Sequence, residues 1–79
     1  MTRAEVYETL NQVFQEVFDD DGIQVNDDTT AADIDGWDSL THITLIDAVE
    51  DEFDVRFDMN DVVGMKNVGE MVDIILREE

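Results

Sequence analysis

Apolar residues return at helical intervals in three stretches of the chain. Val6, Leu10, Val13, Phe14 and Val17 form the first stripe, and Thr2 followed by Glu5 supplies the capping box that begins many helices. The pattern predicts a helix from about Arg3 to Phe18, with Tyr7 at the edge of its buried face and its hydroxyl within reach of water. After the helix-starting pair Asp38 and Ser39, the residues Ile43, Ile46, Val49 and Phe53 make a second stripe, predicting a helix that ends near Phe53. Asn67 with Glu70 opens a last helix, whose face is Val68, Met71, Val72 and Ile75.

The segments between these stripes read differently. From Asp19 to Asp38 the chain is rich in Asp, Asn, Thr and Gly without a sustained period, and so long a loop in a compact domain points to function. Ile23, Val25, Ile34 and Trp37 are its expected anchors on the bundle, and a short helical turn fits Thr30 to Ile34. Phe53, Val55 and Phe57 alternate as a strand would, but no second strand exists to pair with them, so a loop is expected. Asn60 or Asp61 caps a very short helix through Val62 and Val63, which Gly64 closes. The fold class is therefore all-α: a small four-helix bundle of three main helices and one short one, with a long loop between the first two. Residues 1–79 form a single domain.

Charge narrows the partners. There are 22 acidic residues against four basic ones, Arg3, Arg56, Lys66 and Arg77, and the net charge is -18. Such a surface repels phosphate, which argues against nucleic acid and against a membrane of anionic lipids, and it attracts basic grooves on partner proteins. With 43% hydrophobic residues in organised stripes, the chain folds despite that charge. No cysteine is present, so any thiol chemistry must come from an attached group. The N-terminus lacks an apolar signal core and no apolar run approaches bilayer length, so a cytoplasmic protein is expected.

The segment Gly36-Trp37-Asp38-Ser39-Leu40-Thr41-His42-Ile43 carries the chemistry. Asp-Ser-Leu at the start of a helix resembles the attachment site of acyl and peptidyl carrier domains. The resemblance extends over nearly the whole chain, through the amphipathic first helix, the long loop, the acidic end Glu50-Asp51-Glu52-Phe53 and the closing Ile74-Ile75-Leu76. In that family a phosphopantetheinyl transferase attaches 4'-phosphopantetheine from coenzyme A to the motif serine. The resemblance thus implies attachment at Ser39, with Asp38 and Leu40 completing the motif. It also implies a noncatalytic acyl carrier protein, a monomer that serves acyl-transferring or synthase enzymes with basic docking surfaces. Elementary physics agrees: a phosphodiester in the first turn of a helix lies beside unpaired backbone N–H groups and the positive end of the helix dipole.

On a helical wheel Leu40, Thr44, Asp47 and Asp51 fall on the side away from the apolar stripe, and Asp58 and Asp61 extend that surface. Two readings of this ridge stand side by side. In the resembled family the second helix meets partner enzymes; without that guidance the ridge is a solvated face with one incidental leucine. His42 falls a helical turn after Ser39, but no third orienting group accompanies it, so it reads as a structural histidine at the rim of the core and not as a general base. Glu50 turns inward and needs Arg56 or backbone N–H groups as partners. Asp19-Asp20-Asp21-Gly22 resembles part of a calcium loop, yet with Gly22 in sixth place Val17 takes the first ligand position, so no dedicated metal site is expected.

Two function classes compete. The leading one is the carrier; the rival is an acidic interaction module that imitates nucleic acid, which net charge alone supports. Within the resembled family the residue after Asp-Ser-Leu is often acidic in fatty-acid carriers. Here Thr41 follows and Trp37 precedes, a combination that fits specialised biosynthesis, such as polyketide or peptide assembly, better than housekeeping fatty-acid synthesis.

Overall fold

The structure, a computed structural model, describes residues 1–78. Its elements are α1 (Arg3–Val17), a 3-10 turn (Ala31–Asp33), α2 (Ser39–Phe53), α3 (Met59–Gly64) and α4 (Val68–Glu78). Among the described residues the fold is all-helical, with α1 packed on both α2 and α4.

Local chemistry sets most helix ends. Thr2 accepts from the Glu5 amide at 3.2 Å while the Glu5 carboxylate takes the Thr2 amide at 2.7 Å, so both halves of the expected box are present. The Thr2 amide, and then the Thr2 hydroxyl, hold the Glu5 carboxyl below its ordinary value. At the far end of α2 the chain turns through Asp54 in the left-handed region, φ 55°, which a short polar side chain tolerates. The α4 cap is a variant of the expected one. Asn67 accepts from the Glu70 amide at 2.9 Å, but the Glu70 carboxylate reaches back to the amide of Lys66 at 2.6 Å.

The core joins one face from each main helix. Val6, Leu10, Val13 and Phe14 of α1 meet Leu45, Ile46 and Val49 of α2 and Val68, Met71, Val72 and Ile75 of α4, with Val62 from α3 and Val25 from the long loop. One expectation fails here. Ile43 was placed on the inner stripe of α2 but is 51% exposed, and Leu45 takes the buried position instead. Ile43 instead lines an open groove between α2 and α3, together with Met59, Val62 and Val63. The short helix also differs at both ends: it begins at Met59, after Asp58, and Gly64 stays helical with extended Met65 following.

The long loop is tied down along its length. Asn11 accepts from the Val25 amide at 2.7 Å, and the Gln15 amide group donates to the Ile23 carbonyl at 2.9 Å. Further on, Val68 and Gly69 donate to the carbonyls of Thr29 and Asp27 at 2.8 and 3.1 Å, so the loop supplies acceptors to the otherwise unpaired first turn of α4. Arg3 clamps the same corner, donating to Asp27 at 2.8 Å, to Asp73 at 2.7 Å and to the Gly69 carbonyl at 3.2 Å. The Tyr7 hydroxyl, at the exposed edge of α1's buried face, also donates to Asp27. The Arg3 guanidinium, and then Tyr7, hold the Asp27 carboxyl below its ordinary value; burial, then Asp27, raises the Tyr7 phenol.

Backbone contact makes any side chain at Gly69 costly at this corner. A Cβ there would stand 2.8 Å from the Asp27 carbonyl oxygen and 3.2 Å from its Cα, neither of which can swing aside. Alanine ordinarily favours a helix over glycine by roughly 0.5–1 kcal/mol, whereas overpacking costs about 1–3 kcal/mol. The clash wins. Gly69→Ala should lower the melting temperature by several degrees in a far-ultraviolet circular dichroism melt, and a rise would show that the loop yields freely.

Candidate functional site

The turn entering α2 is built by three residues. Gly36 sits at φ 87°, a conformation that side chains resist, and points the chain toward the helix start. Asp38 then caps α2, its Oδ1 accepting from the amides of Leu40 and Thr41 at 3.0 Å each. Thr41 closes the loop from the other side: its hydroxyl accepts from the Asp38 amide at 2.7 Å and donates to the Gly36 carbonyl at 2.7 Å. Thr41 thus takes the place a glutamate fills in the usual capping box. Its structural part went unread in the sequence, although Asp38 and Thr41 have the same spacing as Thr2 and Glu5.

The Thr41 amide, then the Thr41 hydroxyl and the Leu40 amide, lower the Asp38 carboxyl below its ordinary value. A lowered carboxyl stabilises the fold fully above its unfolded value, about pH 4, and that contribution is lost as pH falls through the lower folded value. Asp38→Ala should therefore melt several degrees below the parent chain at pH 7. The gap should narrow as pH drops below about 4. A gap that is unchanged at pH 3 would contradict the cap.

Ser39 is the first residue of α2 and is exposed. Among the described residues no group is hydrogen-bonded to its hydroxyl, so nothing has to be broken for that oxygen to be used. The expectation of free amides around it needs correction, because those of Leu40 and Thr41 already belong to Asp38. A phosphate on Ser39 would find the helix dipole, but not those two donors.

Beside Ser39 lies a groove of about 510 Å³ between α2 and α3, with Trp37, His42, Ile43, Val62 and Val63 among its walls. It is the space Ile43 faces. His42 lies on its floor with both ring nitrogens engaged: Nδ1 accepts from the Trp37 indole N–H at 3.1 Å, and Nε2 meets the Val62 carbonyl at 3.1 Å. The imidazole also stacks on the indole at 5.9 Å. Neither nitrogen is turned to Ser39: both are taken up by Trp37 and the Val62 carbonyl, which fits the structural histidine expected where no third orienting group accompanies it.

The acidic ridge stands on the outer face. Leu40 is 81% exposed, and Thr44, Asp47 and Asp51 line up behind it, all exposed. Asp58 is exposed at the entry to α3 without a side-chain bond to its helix. Asp61 differs from the rest: its carboxylate is paired with Arg77 at 2.9 Å and ties α3 to α4. Inward, Glu50 finds a backbone partner, the Phe57 amide at 2.7 Å. No group of acidic, histidine or cysteine side chains suited to holding a metal ion is present among the described residues, and no helix is long and apolar enough to cross a membrane.

Comparison with known proteins agrees with this geometry. Residues 8–75 match the family described as phosphopantetheine attachment site. The chain is 29% identical over 76 residues to an acyl carrier protein of Saccharopolyspora erythraea, a match covering 96% of this chain and 80% of that one. Its fold is similar to the solution structure of holo acyl carrier protein from Geobacter metallireducens, with a TM-score of 0.86, 37% identity, and 92% and 84% of the two chains covered. The exposed Ser39 hydroxyl lies within the matched residues and has an apolar groove beside it. On the breadth of these matches the chain belongs to the acyl carrier protein family, whose members are noncatalytic carriers with a phosphopantetheine attachment site.

Proposed function

We propose that Ser39 carries the 4'-phosphopantetheine and that the chain delivers its cargo in a specialised biosynthetic pathway. The observation that carries the proposal is the exposure of the Ser39 hydroxyl at the capped start of α2, with no hydrogen bond to it among the described residues. In the transfer, Ser39 Oγ forms a bond to the pantetheine-linked phosphorus of coenzyme A, the phosphoanhydride breaks, the adenosine portion leaves, and the transferase takes the hydroxyl proton. When bound, the arm supplies a thiol that holds an acyl group as a thioester. The chain's own part is to present the oxygen, keep the turn rigid through Asp38 and Thr41, and offer partners an acidic, leucine-tipped face.

Leu40, Thr44, Asp47 and Asp51 support the partner role, since exposed acids beside an exposed leucine suit a basic groove with an apolar pocket. Trp37 and Thr41 support the specialised pathway. Both are built into the α2 entry, Thr41 replacing the acid often found after Asp-Ser-Leu, and Trp37 packing on Phe14 at 5.3 Å.

Incubation with coenzyme A and a broad-specificity phosphopantetheinyl transferase should add the mass of one arm per chain. Asp47→Lys combined with Asp51→Lys should raise the transferase KM about tenfold and flatten its salt dependence while leaving kcat near the parent value. No added mass on the parent chain would overturn the carrier proposal. An unchanged KM would confine partner recognition to other faces.

A further inference from the structure

The helix α3 has little to hold it. It is six residues long, Asp58 gives it no side-chain cap, and Met59, Asn60, Val63 and Gly64 are exposed. Val62 alone among its six residues is buried. Its side-chain hydrogen bonds to the rest of the described residues are two: Arg77 to Asp61 at 2.9 Å, with the arginine 60% exposed, and His42 to the Val62 carbonyl at 3.1 Å. An exposed ion pair contributes little, because water and salt screen it.

The bond from His42 answers a specific deficit. The carbonyls at a helix end lack partners within the helix, and the amide that would close the next turn on Val62 belongs to Lys66. Lys66 donates instead to Glu70, at 2.6 Å. The Val62 carbonyl is left to His42. On the other side of the ring, the Trp37 indole can only donate, so Nδ1 must accept and Nε2 must carry the proton toward Val62. Trp37 therefore sets both the tautomer and, by stacking, the plane of the imidazole.

We infer that His42, aligned by Trp37, is the pin that fixes α3 against α2. Since α3 forms the far wall of the groove that opens beside Ser39, the pin sets how wide that groove stands. Its importance for cargo rests on the attachment proposed for Ser39, but the pin itself does not, and the test is made without the arm.

Hydrogen exchange followed by NMR on unmodified protein separates the pin from packing. His42→Phe keeps a stackable ring and loses both hydrogen bonds, whereas His42→Gln loses the ring but keeps one acceptor for the indole and one donor for the carbonyl. The Phe variant should exchange its Val62 and Val63 amides about tenfold faster, with Leu10 in α1 and Val72 in α4 unchanged, and the Gln variant should stay within about threefold of the parent. Trp37→Phe should fall between them. Unchanged exchange in the Phe variant, equal acceleration at Leu10 and Val72, or a Gln variant as fast as the Phe one would overturn the pin.

Discussion

Ser39→Ala should fold and melt like the parent chain yet take up no phosphopantetheine. The separation follows from how the α2 entry is built: its hydrogen bonds run through Asp38, Thr41 and Gly36, and none uses the Ser39 hydroxyl. Substitution of an exposed side chain outside such a network changes stability by no more than about 0.5 kcal/mol. Uptake behaves differently, because Ser39 is the chain's only serine and its oxygen is the proposed bond-forming atom. Intact mass and a thermal melt on one sample check both halves. Full uptake by the variant would remove Ser39 from the proposal, and a melting drop of many degrees would show that its hydroxyl is structural.

Phe14→Ala has the largest expected effect on the fold. The ring is fully buried at the centre of the core, tilted on Phe18 at 5.9 Å and edge-on to Trp37 at 5.3 Å. Removing it costs about 3–5 kcal/mol for lost burial and the cavity left behind. A domain of 79 residues holds roughly 4–12 kcal/mol in all. The variant should therefore melt at least about 15 °C lower and sit partly unfolded at ordinary temperatures. The site is weakened by the same route, since Trp37 loses one of the two phenylalanines it packs on, with Phe18 remaining at 6.1 Å, and with it part of the support for His42. A drop of only a few degrees would mean that the loop carrying Trp37 does not depend on this packing.

The main helices were legible because their determinants are local. Stripes at Val6–Val17 and Val68–Ile75 and the pairs Thr2 with Glu5 and Asp38 with Ser39 lie within a turn of what they control. The loop anchors Val25 and Trp37 were legible as isolated apolar residues among polar ones, and the turn near Thr30 was found at Ala31–Asp33. What escaped was set by distant groups. Ile43 has the spacing of a core residue, and only the packing of α3 against α2 decides that it faces an open groove. Gly64 carries the usual sign of a helix end, but the chain leaves α3 through extended Met65 and needs no left-handed residue. Asp61 reads as one more surface acid until Arg77, 16 residues on, claims it.

The candidate site divides in the same way. The Asp38-Ser39-Leu40 start of α2 stood out in the sequence because cap chemistry and family resemblance met on the same three residues. The relay from Trp37 through His42 to Val62 did not stand out, because it joins a loop, a helix and a backbone carbonyl 20 residues away. No pattern of residue types marks a carbonyl as waiting for a partner.

The central claim is that one oxygen, at the first residue of α2, takes the arm. Peptide fragmentation after modification by a transferase reads that oxygen directly. All of the added mass should lie on Ser39, with Thr41 and Thr44 bare; mass on either threonine, or a chain that accepts none under conditions that load another carrier, would contradict it.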